Sequence, residues 1–415
     1  MTTQVPFQGR VLITTIHSWP EQTGIAPYAT GLAEHLVRRG ASVDLLTVMP
    51  FYPDWRVHPA YRRRLLKREV VRGVDIRRTR HYVPRSQSAL RRSLYEGSFL
   101  LAGHNLASVP RPDAVIGIVP ALSGGVLAAA AARRFGVPYG LIVQDLSGPA
   151  ALQSGIRGGG AVAGLTRRVE SMLARNASAV AIIAEGFRPY LQEIGVDGRR
   201  IHRVRNWTHI GGPTRPRSEA RAALGFPDDA FVCLHAGNMG LKQGLDNVID
   251  AARSAASTHA NLLFVLMGNG NQREHLQDIA GDLANVRFLS AQPEETFPDA
   301  LAAADVLLVN QLPSVTDMAL PGKLTSYFAS GRPVIAAVNA ASETARELAL
   351  ADAGLVVPAG RPDALVEAIL RLHAAPEEAD AIGERGRAFA RDNLTRAQAL
   401  AGLEDFVARV VDSPS

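Results

Sequence analysis

Residues 231–257 read FVCLHAGNMGLKQGLDNVIDAARSAAS. The opening apolar run is too short for a helix and suits a strand buried on both faces. Glycines follow at 237, 240 and 244, and residues 244–257 carry apolar side chains at helical spacing. Strand, glycine loop and helix in this order form the repeating unit of a parallel sheet covered by helices. Working outward, NLLFVLMG (261–268), VRFLS (286–290), DVLLVN (305–310), PVIAAV (333–338) and GLVVP (354–358) continue as strands, with helical stretches such as 364–372 between them. Upstream the same alternation runs through RVLITTI (10–16), ASVDLLTV (41–48), AVIGIV (114–119), YGLIVQ (139–144), AVAII (179–183) and RIHRVR (200–205). Between the first two of these, Pro27 suits a first helical turn, Tyr28, Leu32 and Leu36 fall on one face, and Gly40 closes the helix.

The chain is therefore expected to be α/β, with two parallel-sheet domains. The segment NWTHIGGPTRPRSEA separates them, giving an N-terminal domain at 1–205, a linker at 206–220 and a second domain at 221–390. The last helical stretch, 391–415, is expected to pack back across the joint. Open parallel sheets bind ligands at the carboxyl ends of their strands, so loops of both domains are expected to line a central cleft.

Composition narrows the function. Hydrophobic residues make up 47% and charged residues 20% of the 415, which excludes a mainly disordered chain. Cys233 is the single cysteine, so neither an internal disulfide nor a clustered cysteine metal site is available. The N-terminus lacks the pattern of a signal peptide, and a cytoplasmic location is expected. The uncharged stretch 114–132 is long enough to suggest a membrane span, but Pro120, Gly124 and Gly125 divide it into a strand and a helix start. Residues 1–205 hold 28 basic and 13 acidic side chains, the remainder 17 and 26. Within residues 56–92 thirteen basic residues face two acidic ones, an excess that attracts phosphates on a substrate or an anionic membrane face.

Candidate site residues sit at strand ends. The loop HSWPEQTGIAPYA (17–29) lacks the G-x-G-x-x-G fingerprint, which argues against a dinucleotide oxidoreductase. Its Gly24, opening onto a helix, still offers N–H groups to an anion. The loop of Gly237, Asn238 and Lys242 reads as a diphosphate seat, with glycines turning N–H groups inward and a lysine beside them. Only three lysines occur, Lys67, Lys242 and Lys323, against 42 arginines, so a retained lysine suggests a need for a compact charge. Lys323 falls in the first turn of a helix running from Pro321 to Gly331, where the dipole disfavours a cation. Its compensating anion is either Asp317 or a bound phosphate. Asp145 and Asp317 are the catalytic candidates. His17 and His235 end strands, and Glu343 begins a helix, where capping and ligand binding both fit.

Together these segments resemble a family. GNMGLKQGLDNVIDAA, LMGNG, ADVLLVN, PGKLTSYFASGRPVIAAV, VRNW, DAVIGIVPALSGG, VQDL and TGIAPYATGLAEHL are similar to family-4 glycosyltransferases of the GT-B fold, closest to the exopolysaccharide enzymes of the colanic-acid type. The resemblance implies two Rossmann-like domains facing a cleft, a nucleotide-sugar donor held mainly by the second and an acceptor by the first. It also implies transfer with retention and neither metal nor cofactor. Carried over by position, Gly24, the Gly237 loop and Lys323 serve donor phosphate or ribose, and Gly268 to Gly270 lie near the base. The chain departs from the family at Asn238 (usually Arg), Gln243 (usually Lys, here Lys242 one place earlier), Ser326 (usually a ribose-binding Glu) and Met318 (usually Glu).

The resulting expectation is a glycosyltransferase acting on a lipid-linked or polysaccharide precursor and docked peripherally on anionic membrane, with His17, Arg62, Arg63 and Arg64 on the acceptor or membrane side. No nucleic acid is expected as a partner. The alternatives are a sugar-nucleotide epimerase and a noncatalytic nucleotide-sugar-binding partner.

Overall fold

The computed structural model describes residues 7–22, 24–84, 89–119, 121–148, 159–208, 210–315 and 322–413. The chain divides into two compact units, Met1–Asn206 with Ala397–Ser415, and Trp207–Arg396.

The first unit carries β1 (Arg10–Thr14), β2 (Ser42–Val48), β3 (Leu66–Val71), β4 (Val74–Thr79), β5 (Ala114–Val119), β6 (Tyr139–Val143), β7 (Ala179–Ile182) and β8 (Ile201–Arg203). They lie in the order β3-β4-β2-β1-β5-β6-β7-β8, all parallel except the antiparallel β3–β4 hairpin. The six strands expected from the alternation are all present. The hairpin is an addition, read from sequence only as part of a basic stretch. Residues 114–132 do split, into β5 and the helix Leu122–Phe135. Among the described residues no helix is long and apolar enough to cross a membrane. The C-terminal helix Arg396–Val411 lies in this unit. Glu404 pairs with His35 (2.8 Å) and Arg39 (3.0 Å), and a side chain at Gly140 would collide with Phe406 and Val410.

The second unit carries β9 (Phe231–Ala236), β10 (Leu262–Met267), β11 (Val286–Leu289), β12 (Val306–Asn310), β13 (Val334–Val338) and β14 (Gly354–Pro358), all parallel in the order β11-β10-β9-β12-β13-β14. Two-residue periodicity sorts the strand residues between two cores. Val232, Leu234, Val265, Leu307 and Ala336 join one, with Leu324, Tyr327 and Phe328 of the helix Lys323–Ser330. Cys233, Phe264, Leu266, Leu308 and Ile335 join the other, with Val248 and Ile249 of the helix Asp246–Ala255. Burying each large side chain stabilises the unit by about 1.5–3 kcal/mol. The helix Arg217–Ala223 already begins inside the segment 206–220 expected to be the linker.

In each unit the strand order reverses once, between β1 and β5 and between β9 and β12. At such a point the loops leaving adjacent strands diverge and open a crevice at the carboxyl ends. The glycine loop after β9 and the helix that follows β12 therefore belong to one crevice.

Candidate functional site

In the second unit, β9 ends at Ala236 and the chain turns through Gly237, whose φ is +133°. Gly268, at the end of β10, has φ +136°, and a Cβ there would collide with the Gly237 carbonyl. Only glycine allows this backbone approach. The two turns are joined by hydrogen bonds: Gly237 N–H donates to the Met267 carbonyl (2.8 Å) and Met239 N–H to that of Asn269 (2.8 Å). Asn310, at the end of β12, donates to the carbonyls of Gln243 (2.8 Å) and Gly244 (2.7 Å) while accepting from Asn247 (2.7 Å). Gln243 Oε1 accepts the Gly240 N–H at 3.0 Å. The residue standing where the family usually has a lysine thus staples the loop.

Lys323 opens its helix beside this loop. A Cβ on Gly237 would sit 3.6 Å from Lys323 Cε and Nζ, so the absent side chain leaves space beside the ammonium. Nζ lies 3.4 Å from Nε2 of His235, which is fully buried in β9. One turn along, buried Tyr327 accepts the Ala236 N–H (2.8 Å) and donates to the Ala236 carbonyl (3.2 Å), fastening the helix to the end of β9. Burial pushes the Lys323 ammonium down to about 7. Burial first, and the Lys323 charge second, hold His235 well below the ordinary histidine value, so it is neutral near pH 7. The arrangement is a desolvated cation beside a glycine turn, placed to gain from an incoming anion.

The other candidates of this unit fall differently. Lys242 is exposed on the turn Leu241–Gln243, and its carbonyl accepts the Leu312 N–H. Asn238 is exposed and Ser326 is buried in the Lys323 helix. Glu343 is buried at the start of the helix Glu343–Ala351, capped by Ser342 and paired with Arg346 at 2.6 Å. Asp317 lies outside the described residues.

In the first unit, Gly24 adopts φ +65° ahead of the helix Ala26–Arg38, and a Cβ there would lie 3.3 Å from the Tyr52 ring. His17 Nδ1 bonds Glu21 Oε2 (2.8 Å), and its ring stacks on Phe51 at 5.2 Å. Buried Glu21 also accepts the N–H groups of Phe51 (2.9 Å) and Tyr52 (3.0 Å), locking the loops after β1 and β2 together. Asp145 is half-buried in the turn after β6. That turn is held by buried Glu170, which accepts from Ser147 N–H (2.8 Å), Gly148 N–H (3.0 Å) and the Tyr190 hydroxyl (2.6 Å). Sequence reasoning passed over Glu21 and Glu170 because a lone glutamate in a loop or on a helix carries no local sign of what it bonds.

The basic stretch needs a correction. Much of its charge is neutralised within the unit: Lys67 and Arg78 pair with Glu69 (2.7 and 2.6 Å), Arg68 with Asp75 (2.5 Å), Arg72 with Glu34 (2.6 Å) and Arg77 with Asp44 and Asp75. Arg77 and Arg78 are almost fully buried, Arg78 also donating to Ser18, Val48 and the Trp19 carbonyl. Two of these partners, Glu34 and Asp44, lie outside residues 56–92, so a count along the stretch overstates its free charge. Arg62, Arg63 and Arg64 remain exposed.

Residues 23–207 match the model of a glycosyl transferase 4-like domain, and residues 216–389 that of glycosyl transferases group 1. The chain is 31% identical over 346 residues to Escherichia coli (strain K12) WcaI, described as a colanic acid biosynthesis glycosyl transferase, covering 80% of this chain and 84% of that one. Among solved structures, sucrose-phosphate synthase from Thermosynechococcus elongatus superimposes with a TM-score of 0.75 at 18% identity, covering 97% of this chain and 98% of that one. Anabaena HepE, solved with UDP, gives 0.69 at 15% identity, covering 96% and 99%. These structures share the GT-B fold with this chain.

Proposed function

The chain belongs to the glycosyltransferase family defined by the 4-like and group 1 domains, and from that premise we propose that it moves a sugar, with retention, from a nucleotide-diphosphate donor to a polysaccharide or lipid-linked precursor in exopolysaccharide biosynthesis. The observation that carries the donor assignment is the half-buried, desolvated ammonium of Lys323 beside Gly237. HepE has been solved with UDP and with UDP-glucose, which supports a nucleotide sugar as the ligand of the second unit. Transfer builds negative charge on the departing phosphate, and a fixed cation with loop N–H groups lowers that barrier. No cofactor beyond the donor is required. The test is a thermal-shift panel of UDP, GDP, CDP and dTDP and their sugars: a ligand at 100 times its dissociation constant stabilises by about 2.7 kcal/mol. No shift with any of them overturns the donor assignment, and donor epimerised without acceptor overturns the transfer.

The carboxylates Asp145 and Asp317 are assigned to the sugar and acceptor side. Asp145→Asn is expected to lower turnover about tenfold, roughly 1.4 kcal/mol of transition-state stabilisation, with little change in donor affinity. Steady-state kinetics with a wild-type rate would return Asp145 to a structural role.

Docking on an anionic membrane face is assigned to the exposed Arg62, Arg63 and Arg64. Leu65, Leu66 and Val70 beside them are 73%, 54% and 69% exposed, an apolar accompaniment that suits an interface. The protein is expected to sediment with anionic vesicles, release as salt rises and bind neutral vesicles poorly. Replacing the three arginines with glutamine should reduce sedimentation while leaving nucleotide affinity intact. Equal sedimentation of variant and wild type ends the docking assignment.

A further inference from the structure

We propose that the recess behind β2, between the loop at Pro20 and the segment Pro50 to Arg62, binds a saccharide bearing an anionic group, a carboxylate or a phosphate. The assignment rests on the glycosyltransferase reading above and names the chemistry of the acceptor side. The recess encloses about 490 Å³, within the range of small-molecule sites. It lies at the carboxyl ends of β1 and β2, where parallel sheets place ligands.

Its wall is built rather than incidental. Phe51 and Tyr52, with Pro20 and Pro50, supply the apolar surface, and the bonds from the Phe51 and Tyr52 amides to buried Glu21 set their backbone. Three hydrogen bonds already engage the Glu21 carboxylate, the third from His17. Arg78, reaching from β4 to the Trp19 carbonyl, holds the opposing loop.

Charge selects the ligand. Lys67, Arg68, Arg72, Arg77 and Arg78 are all ion-paired, whereas Arg56 and Arg62, both lining the recess, form no ion pair among the described residues. Arg62 Nε donates to the Val57 carbonyl (3.2 Å), which fixes the guanidinium and leaves its terminal nitrogens for another acceptor. The paired N–H groups of a planar guanidinium match two oxygens of a carboxylate or phosphate. Against these two cations stands one exposed carboxylate, Asp54, suited to accept from sugar hydroxyls. His58 Nδ1 accepts the Ala60 N–H (3.3 Å), so its proton is on Nε2, a donor to a hydroxyl oxygen. A neutral sugar would leave both arginines unpaired. The Tyr52 ring in its wall also abuts Gly24, the loop position that the family resemblance gives to the donor diphosphate.

The anion has two sources: a uronic acid in the glycan, or the sugar phosphate of a lipid-linked carrier. The test uses the full chain saturated with the nucleoside diphosphate that shifts it most, and reads saturation-transfer NMR with methyl glucuronide, glucose 1-phosphate and methyl glucoside. At least one charged sugar is expected to bind about tenfold more tightly than methyl glucoside, and Arg56→Gln to remove that advantage while the nucleotide thermal shift and vesicle sedimentation stay as in wild type. Preference for the glucuronide assigns the site to uronic acids, and preference for the phosphate to a carrier phosphate. The proposal is overturned if methyl glucoside binds equally well, if neither charged sugar binds, if the nucleotide displaces the sugar, or if Arg56→Gln changes nothing. Failure of the donor assignment would show separately, as the absence of any nucleotide shift.

Discussion

Lys323→Ala is expected to weaken nucleoside diphosphate binding by about 1.5–3 kcal/mol, or 10- to 150-fold, and to leave nucleoside binding nearly unchanged. Its ammonium lies beside Gly237 and can reach a phosphate there, while the base and ribose gain little from it. Titration calorimetry with a diphosphate and its nucleoside measures the difference, and equal losses would remove phosphate from the role of Lys323. The same residue predicts a pH dependence. Burial holds its folded pKa at about 7, against about 10.4 in the unfolded chain, so between these values the unfolded state binds more protons. Stability of the free protein therefore rises with pH through that window and is lost as pH falls towards 7. A bound diphosphate favours the ammonium again, so binding above pH 7 takes up a proton. Diphosphate affinity should fall by up to tenfold per unit as pH rises from 7.5 to 9, with a flat profile for Lys323→Ala. A flat wild-type profile would show that the lysine is charged throughout.

Asp44→Leu is expected to destabilise the first unit by about 3–5 kcal/mol, because it strands a buried guanidinium. Asp44, in β2, is paired with Arg77 and with Arg10 at 2.7 Å, and the side chains of Asp44 and Arg77 are 1% and 2% exposed. Without Asp44 the strongest remaining anion for Arg77 is Asp75, at 3.3 Å and more exposed. Adding Arg77→Leu removes the stranded charge, so the double variant should recover much of the loss. Urea unfolding of the wild type, both single variants and the double variant gives the coupling. A cost below 1 kcal/mol for Asp44→Leu, or simple additivity, would show that Arg77 finds water or another partner.

These two residues differ in how far the sequence reveals them. Lys323 stands out locally, as a rare lysine in a helix's first turn between a proline and a glycine. Asp44 sits unmarked in an apolar strand, and Arg77 and Arg78 read as part of a basic run free to attract phosphates. The hairpin β3–β4 was illegible for the same reason. LKREVV exposes every second residue along the antiparallel edge strand of the sheet, and its Lys67 and Arg68 are matched by Glu69 in the same strand and Asp75 across the hairpin. Such matching has no period along the chain.

Read alone, the residues determine the α/β alternation, the glycine loop after β9, the start of the Lys323 helix and the family to which the chain belongs, because each is written in local spacing. Tertiary structure decides which strand lies beside which. The order β10-β9-β12 brings His235 and Lys323, 88 residues apart, within 3.4 Å, and in the first unit the pairing of β1 with β2 brings Glu21 to the amides of Phe51 and Tyr52. Local periodicity marks a side chain for burial, but the partner that makes its burial tolerable is supplied by long-range strand pairing.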